Sequence, residues 1–552
     1  MSSVIRRSLS FAVVATCLLL MSPLAKTLQA RHSSVPAAAP PHVDLYVDAS
    51  SGSESNPGSR SQPLKTINRA AQLAISNQGR NIPTTVTINS GTYREYIGIG
   101  SNNPNTEAPI VFQASKNGTV IVSGSEVWTG WQPDALDPRR FVHPWTYQWG
   151  VCGSPPRWPV LPEVIARREM VIVNGHILIP VLSQDRMTEG SFFVDEAAGR
   201  AIIWPPAGTD ISTATIEVPV LPKLFESHHV SSLTIRGIVF EHSNACVSMN
   251  PSAAVAIIGG ANVSIEDCTF GWNNWTGLRV DGLTDSFIRR ITASYNGALG
   301  ILGFRLKHFS AEDVETSYNN WRGALGEFYE FEPAGGKFLH VHGGVFKNFR
   351  SVGNQASGLW LDTNNSDVTV DQAFLANNRL RGFFIEANMG PITLKNSRIC
   401  GNAGDGFEGQ HSESVSLIGN LFYDNHKSQI FVDSISDQRS VYDPDTKSST
   451  VAVSQGWSLH GNTIVGTVAD EILYKTYQNS SDNSQLFIRT MNSDDNTWYN
   501  AASSNVFQID RGGRGHRPEN VDFLRWQSVT GQDKNSTFQP PATDPAASCE
   551  VR

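Results

Sequence analysis

Carboxylates recur at one place in a repeated short strand of this chain, and carboxylates held in pairs can do acid, base and nucleophilic chemistry. In successive repeats the strand closes on Asp281, Phe304, Glu327, Asp362, Glu386, Gln410, Asp433 and, less regularly, Lys475. Two positions earlier stand Arg279, Leu302, Leu325, Trp360, Phe384, Glu408 and Phe431. If the repeats stack, Glu327, Asp362 and Glu386 form a line beside exposed rings of Trp360 and Phe384. Carboxylates in adjacent strands would lie roughly 5 Å apart. Charges that close cannot all ionise, so one group should keep its proton. A protonated acid beside an ionised carboxylate is what cleavage of a glycosidic bond requires. Adjacent pairs suit retention of configuration and wider pairs inversion, so three acids leave the outcome open. The plain alternative is a solvated acidic face; three acids in register with two aromatic neighbours favour a site. Arg279, Asp281, Gln410 and His411 flank the line as candidate substrate contacts.

The elements that must position these residues follow from seven asparagines, Asn273, Asn296, Asn319, Asn354, Asn378, Asn402 and Asn425, at steps of 23, 23, 35, 24, 24 and 23 residues. Most precede a glycine by four residues, and each glycine opens a short strand, as in Gly358-Leu359-Trp360-Leu361-Asp362 and Gly382-Phe383-Phe384-Ile385-Glu386. The third repeat reads Gly323-Ala324-Leu325-Gly326-Glu327. Side chains alternate across a strand, so Leu278, Val280, Leu359, Leu361, Phe383, Ile385, Ile430 and Val432 form one inward face. Companion strands such as Val368–Val370, Ile392–Leu394 and Val415–Leu417 keep the same offset. A period in the twenties, with several strands and no helical stripe in each repeat, predicts an all-β, right-handed parallel β-helix. The leucine-rich solenoid lacks its consensus here. The asparagines read as a turn ladder, since Asn tolerates left-handed backbone and bonds its stacked neighbour.

The one long step, 35 residues, places an insertion immediately after Glu327, from Phe328 through Pro333 to His342. A second excursion, Ser434 to about Gly456, leaves the same face. Loops added to a solenoid gather on its binding face, so the first of these would wall a groove over the acids.

The boundaries expected along the 552 residues are an export signal at 1–30, a linker at 31–43 and a cap with first coils at 44–125. A β-rich insertion at 126–222, the main coils at 223–480 and a C-terminal cap with disordered tail at 481–552 follow. Arg6, Arg7 and the apolar run from Leu9 to Met21 carry the signal, which implies a secreted or periplasmic protein. No later segment is long and apolar enough to span a bilayer. Within the insertion, Val173-Asn174-Gly175-His176 predicts a hairpin with a type I′ turn. Pro63 opens a capping helix with Leu64, Ile67, Ala70, Ala71 and Ala74 on one side. The formal charge of −8 and pI near 6.0, with no basic stripe, argue against nucleic acid as a partner. A monomer is expected. Five cysteines remain after the signal; Cys246 and Cys268, one coil apart, are the candidate bridge, with buried free thiols as the alternative. No cysteine pair has zinc spacing.

Tyr46-Val47-Asp48, Pro63-Leu64-Lys65-Thr66-Ile67, Gly91-Thr92-Tyr93-Arg94-Glu95 and Val122-Ser123-Gly124 resemble the start of secreted β-helix carbohydrate-active enzymes. With Val173-Asn174-Gly175, Gly190-Ser191-Phe192-Phe193-Val194-Asp195 and the strands ending at Asp362 and Glu386, residues 44–435 are most similar to glycoside hydrolase family 141 and its uncharacterised relatives. The resemblance implies a polysaccharide or oligosaccharide hydrolase whose acids at Asp362 and Glu386 match; Glu327 comes from the column alone. It implies no cofactor. The rival on the same fold is a polysaccharide lyase, in which the acidic row would hold calcium and Lys337, Lys475 or Arg279 would act on a uronate. The third reading is a non-catalytic carbohydrate binder.

Overall fold

The computed structural model describes residues 41–101, 107–156, 158–434, 439–478, 480–509 and 518–551. The expected export signal and most of the expected linker lie outside them. From Val43 onward the chain winds into coils whose strands pair in parallel with the equivalent strands of the next coil. In one coil the walls are Ser357–Leu361, Ser366–Asp371 and Phe374–Ala376; in the next they are Phe383–Glu386, Ile392–Lys395 and Arg398–Cys400. This is a parallel β-helix, right-handed as parallel crossovers nearly always are.

Alternation explains the core. Leu278, Val280, Leu359, Leu361, Phe383, Ile385, Ile430 and Val432 are all fully buried in one continuous apolar column. Two glycines in the inward register, Gly303 and Gly409, leave room for larger neighbours. A Cβ added at Gly303 would stand 2.3 Å from the Phe338 ring, and one at Gly409 would stand 2.2 Å from Trp457. The interior is filled by trading volume between adjacent coils.

The seven asparagines are buried and bond one another in series. Asn354 Nδ2 donates to Asn378 Oδ1 at 2.8 Å, Asn378 Nδ2 donates to Asn402 Oδ1 at 2.9 Å, and Gln429 receives the last bond, from Asn425, at 2.7 Å. Each Oδ1 also accepts the backbone N–H of the preceding asparagine. Left-handed backbone falls one residue earlier than expected, on Trp272, Tyr295, Tyr318, Gly353, Asn377, Gly401 and Asp424. The asparagine side chain satisfies the turn, and its predecessor takes the unusual φ. A second ladder, Asn420–Asn462–Asn496, runs along another turn.

A helix, Ile67–Gln78, packs against the first coils through Ile67, Ala70, Ala71 and Ala74. Thr66 caps it, and the Glu95 carboxylate accepts from the backbone N–H groups of Ile67 and Asn68. Between residues 125 and 219 the chain forms two small sheets instead of coils, and Ile172–Ile177 makes the expected hairpin, with Asn174 and Gly175 at positive φ.

Cysteine pairing differs from expectation. Cys246 bonds Cys152, which ties the inserted sheets to the helix, while Cys268 is a buried free thiol. A bridge from Cys400 to Cys549 holds the C-terminal segment. That segment, expected to be disordered, is placed: Thr537–Phe538 extends the β-helix, and the short helix Pro545–Cys549 packs beside Arg398–Cys400.

Candidate active site

Strand register decides which side chains share a column. Phe304 pairs with Leu339, and Phe338 pairs with Leu361. The coil before Asp362 is therefore Gly335-Gly336-Lys337-Phe338-Leu339, and Leu339 takes the place expected for Glu327. Glu327 sits instead on an exposed loop after the helical turn Trp321–Ala324, at φ +58°. The extra residues precede the strand rather than follow it. Leu325 leaves its column for the same reason, and Lys337 replaces it. Lys475 pairs with Phe431, which puts it two positions earlier than expected, with Tyr477 opposite Asp433.

What remains of the acidic line is one adjacent pair. Asp362 and Glu386 directly follow the paired residues Leu361 and Ile385, on neighbouring strands. They line a cavity of about 590 Å³. Trp360 and Phe384 form its floor. They are 7% and 6% exposed, not the open platforms expected, and pack on Leu299 and Ala334 with ring centroids 5.1 Å apart. Tyr329, Glu330, Phe331, Glu332 and Pro333 of the insertion make one wall. The inserted sheets support that wall from behind, where Trp158 packs on Phe328 and Phe331, and Arg322 donates to the carbonyls of Val164 and Glu169.

Each acid has its own cation. Lys337 Nζ lies 3.1 Å from Asp362 Oδ2 and 3.4 Å from the centre of the Trp360 ring, and it donates to the Phe331 carbonyl. Burial works against ionisation of Asp362, but Lys337 and two hydrogen bonds from Thr363 outweigh it and hold the carboxyl below the usual aspartate range. Arg439, from the hairpin of the second excursion, reaches Glu386 Oε1 at 2.5 Å. Burial, reinforced by the negative charge of Asp362, nonetheless raises the Glu386 carboxyl above the usual glutamate range. Environment thus moves two like groups in opposite directions, Asp362 down and Glu386 up. Burial also raises Glu332 on the facing wall. Beneath Arg381, which bonds Glu330 and Glu408, burial pushes Glu408 up to about 7.

The other expected contacts divide. Arg279 lines the cavity. Asp281 is 2% exposed and holds Arg279 and Arg305 at 2.7 Å each, a framework role. Gln410 donates to Asp433 and accepts from Arg439, so it acts behind Glu386. His411, expected to contact substrate, is fully buried. Sequence reasoning missed Arg381, Arg439 and Glu332 as site residues and named Lys337 only under the lyase reading. Lys337 had a legible signal, because counting back 23 residues from Gly358 gives Gly335; Arg439 sits on a hairpin outside the period and had none.

Calcium does not fit this pair. A calcium site uses carboxylates free to coordinate the ion, and both acids here face cationic side chains. Among the described residues no cluster of three or more His, Cys, Asp or Glu could hold a metal. Nor is any described helix long and apolar enough to cross a membrane.

The fold and site define a β-helix protein with a walled carboxylate cavity. Residues 227–422 match the family of the right-handed β-helix region. No curated protein matches the chain. Among solved structures it is similar to XylC in complex with xylose, at 15% identity and TM-score 0.64, over 91% of this chain and 86% of that one. A protein described as a glycoside hydrolase follows at 13% identity and TM-score 0.43, over 79% and 95%. Pectate lyase Pel9A shares 13% identity at TM-score 0.36, over 88% and 89%. These likenesses concern the fold.

Proposed function

We propose that the protein is an exported glycoside hydrolase that acts with retention of configuration through Asp362 and Glu386. The observation that carries this reading is the adjacent pair lining one cavity, with the Asp362 carboxyl lowered beside Lys337 and the Glu386 carboxyl raised by burial and by the charge of Asp362. Neighbouring strands lie roughly 5 Å apart, a spacing that suits the double displacement of a retaining enzyme better than the wider gap of an inverting one.

In the first step an Asp362 oxygen attacks the anomeric carbon while Glu386 gives its proton to the glycosidic oxygen, so the leaving group departs as a neutral alcohol. Glu386, now anionic, is neutralised by Arg439. In the second step Glu386 takes a proton from water, the hydroxide attacks the anomeric carbon, and Asp362 leaves as carboxylate. One water is consumed and both groups return to their starting state. Trp360 and Phe384 offer an apolar floor to a sugar ring, and Arg279, Arg381 and Glu332 offer donors and acceptors to its hydroxyls.

Asp362→Asn and Glu386→Gln should each lower turnover roughly a thousandfold with the fold intact. A panel of aryl glycosides that includes β-xylosides, in view of the xylose-bound structural relative, is the screen. Proton NMR of the first-formed product should show the substrate's own anomeric configuration. Inverted product, or full turnover by both variants, would refute the assignment. The lysine in the row favours one competing test: a lyase acting on a uronan would give unsaturated, ultraviolet-absorbing ends in place of new reducing ends.

A further inference from the structure

The inserted sheets carry a feature that the cavity over Asp362 does not use. Phe141, His143, Trp145, Tyr147 and Trp149 place an aromatic residue at every second position, so one face of this extended segment is a row of rings. Trp128 joins the row, with ring centroids 4.6 Å from His143, 5.6 Å from Trp145 and 6.3 Å from Tyr147. Tyr147 and Trp149 stack at 4.7 Å. Trp131 and Trp145 sit in the core of the inserted sheets, whereas Trp128, Phe141, Tyr147 and Trp149 are only partly covered.

At the Phe141 end the row opens into a second cavity of about 570 Å³, as large as the first. Trp128, Trp131 and Phe141 form one side and the loop Thr209–Ser212 the other. Trp131 is 7% exposed, and its indole N–H has no acceptor among the described residues. Asp210 is the single ionisable side chain in the lining. Its Oδ1 is taken by the backbone and hydroxyl of Ser212.

From this geometry we infer that the inserted sheets hold an accessory site for an uncharged polysaccharide. The C–H faces of pyranose rings match the aromatic side, and their hydroxyls match the Asp210 carboxylate. No cation lines the hollow, so a polyuronate would meet only the negative charge of Asp210 and would be disfavoured. The site is separate from Asp362 and stands whether or not that cavity hydrolyses anything.

The test is affinity electrophoresis of the full chain, disulfides intact, in gels containing xylan, xyloglucan, mixed-linkage glucan, galactomannan or polygalacturonate. At least one neutral polymer should retard the protein. Trp128→Ala and Asp210→Asn should each weaken that retardation at least fivefold, and Asp362→Asn should not change it. Asp210 is exposed, so Asp210→Asn remains informative if Trp128→Ala fails to fold. The proposal is overturned if no neutral polymer retards the protein or if polygalacturonate retards it most. It is equally overturned if folded variants migrate like the parent, if Asp362→Asn alone abolishes retardation, or if sedimentation shows this face pairing two copies of the chain. Hydrolysis of an aryl glycoside with no retardation would sink this inference and leave the proposed activity standing. Retardation without hydrolysis would do the reverse.

Discussion

Charge pairing at single residues gives the site its predicted pH behaviour. Asp362 must be ionised, so activity should rise as pH passes upward through its lowered pKa. Glu386 must be protonated, so activity should fall as pH climbs through its raised pKa. Arg439 favours the Glu386 anion, and its removal should push that pKa further up. Arg439→Met should therefore move the alkaline limb of the kcat/KM profile to higher pH and leave the acid limb in place; an alkaline limb that stays put or moves down would contradict the pairing. Of these residues, Asp362 and Glu386 were legible in the sequence because they obey the repeat. Arg439 was not, since a hairpin's reach cannot be read from its spacing.

At the scale of the element, the turn is what keeps the register. Asn378 accepts two bonds from Asn354 and donates to Asn402, all out of water. Asn378→Ala would leave the buried backbone N–H of Asn354 without its acceptor, while Asn354 Nδ2 keeps Thr316 and Ser351, at a cost of about 2 kcal/mol. The expected result is a lower urea midpoint; an unchanged midpoint would show that the ladder is dispensable. The repeat also explains the one misplaced element. Gly323 and Gly335 both lie at the right spacing for a coil, the first counting forward from Gly300 and the second counting back from Gly358. Only one of them can open a strand. Pairing in space chose Gly335, because Gly336 and Phe338 fit the inward register and Ala324 and Gly326 do not contribute to it. Glu327 left the column with that choice, and Lys337 entered it.

Over the whole molecule, the β-helix was readable because solenoids write their architecture as a period. Long-range ties were not. Nothing in the spacing of Cys152, Cys246, Cys400 and Cys549 reveals which coils or insertions lie against one another. Once the expected signal with Cys17 is removed, the unreduced protein should yield one alkylated thiol, Cys268, only after denaturation, and all five should alkylate after reduction. A Cys246–Cys268 peptide in a non-reducing digest would contradict the fold around the inserted sheets. Those sheets buttress the wall of residues 328–333, and the hairpin of the second excursion supplies Arg439, so the cavity is assembled from three distant parts of the chain around one pair of acids. That pair is the central claim. The measurement that tests it most directly is mass spectrometry of the protein after reaction with a 2-deoxy-2-fluoro aryl glycoside of the sugar found in the screen. Such a reagent slows the second step and traps the covalent intermediate. The account predicts a single added glycosyl group on the peptide that contains Asp362; a label on any other residue, or full inactivation with no added mass, would contradict it.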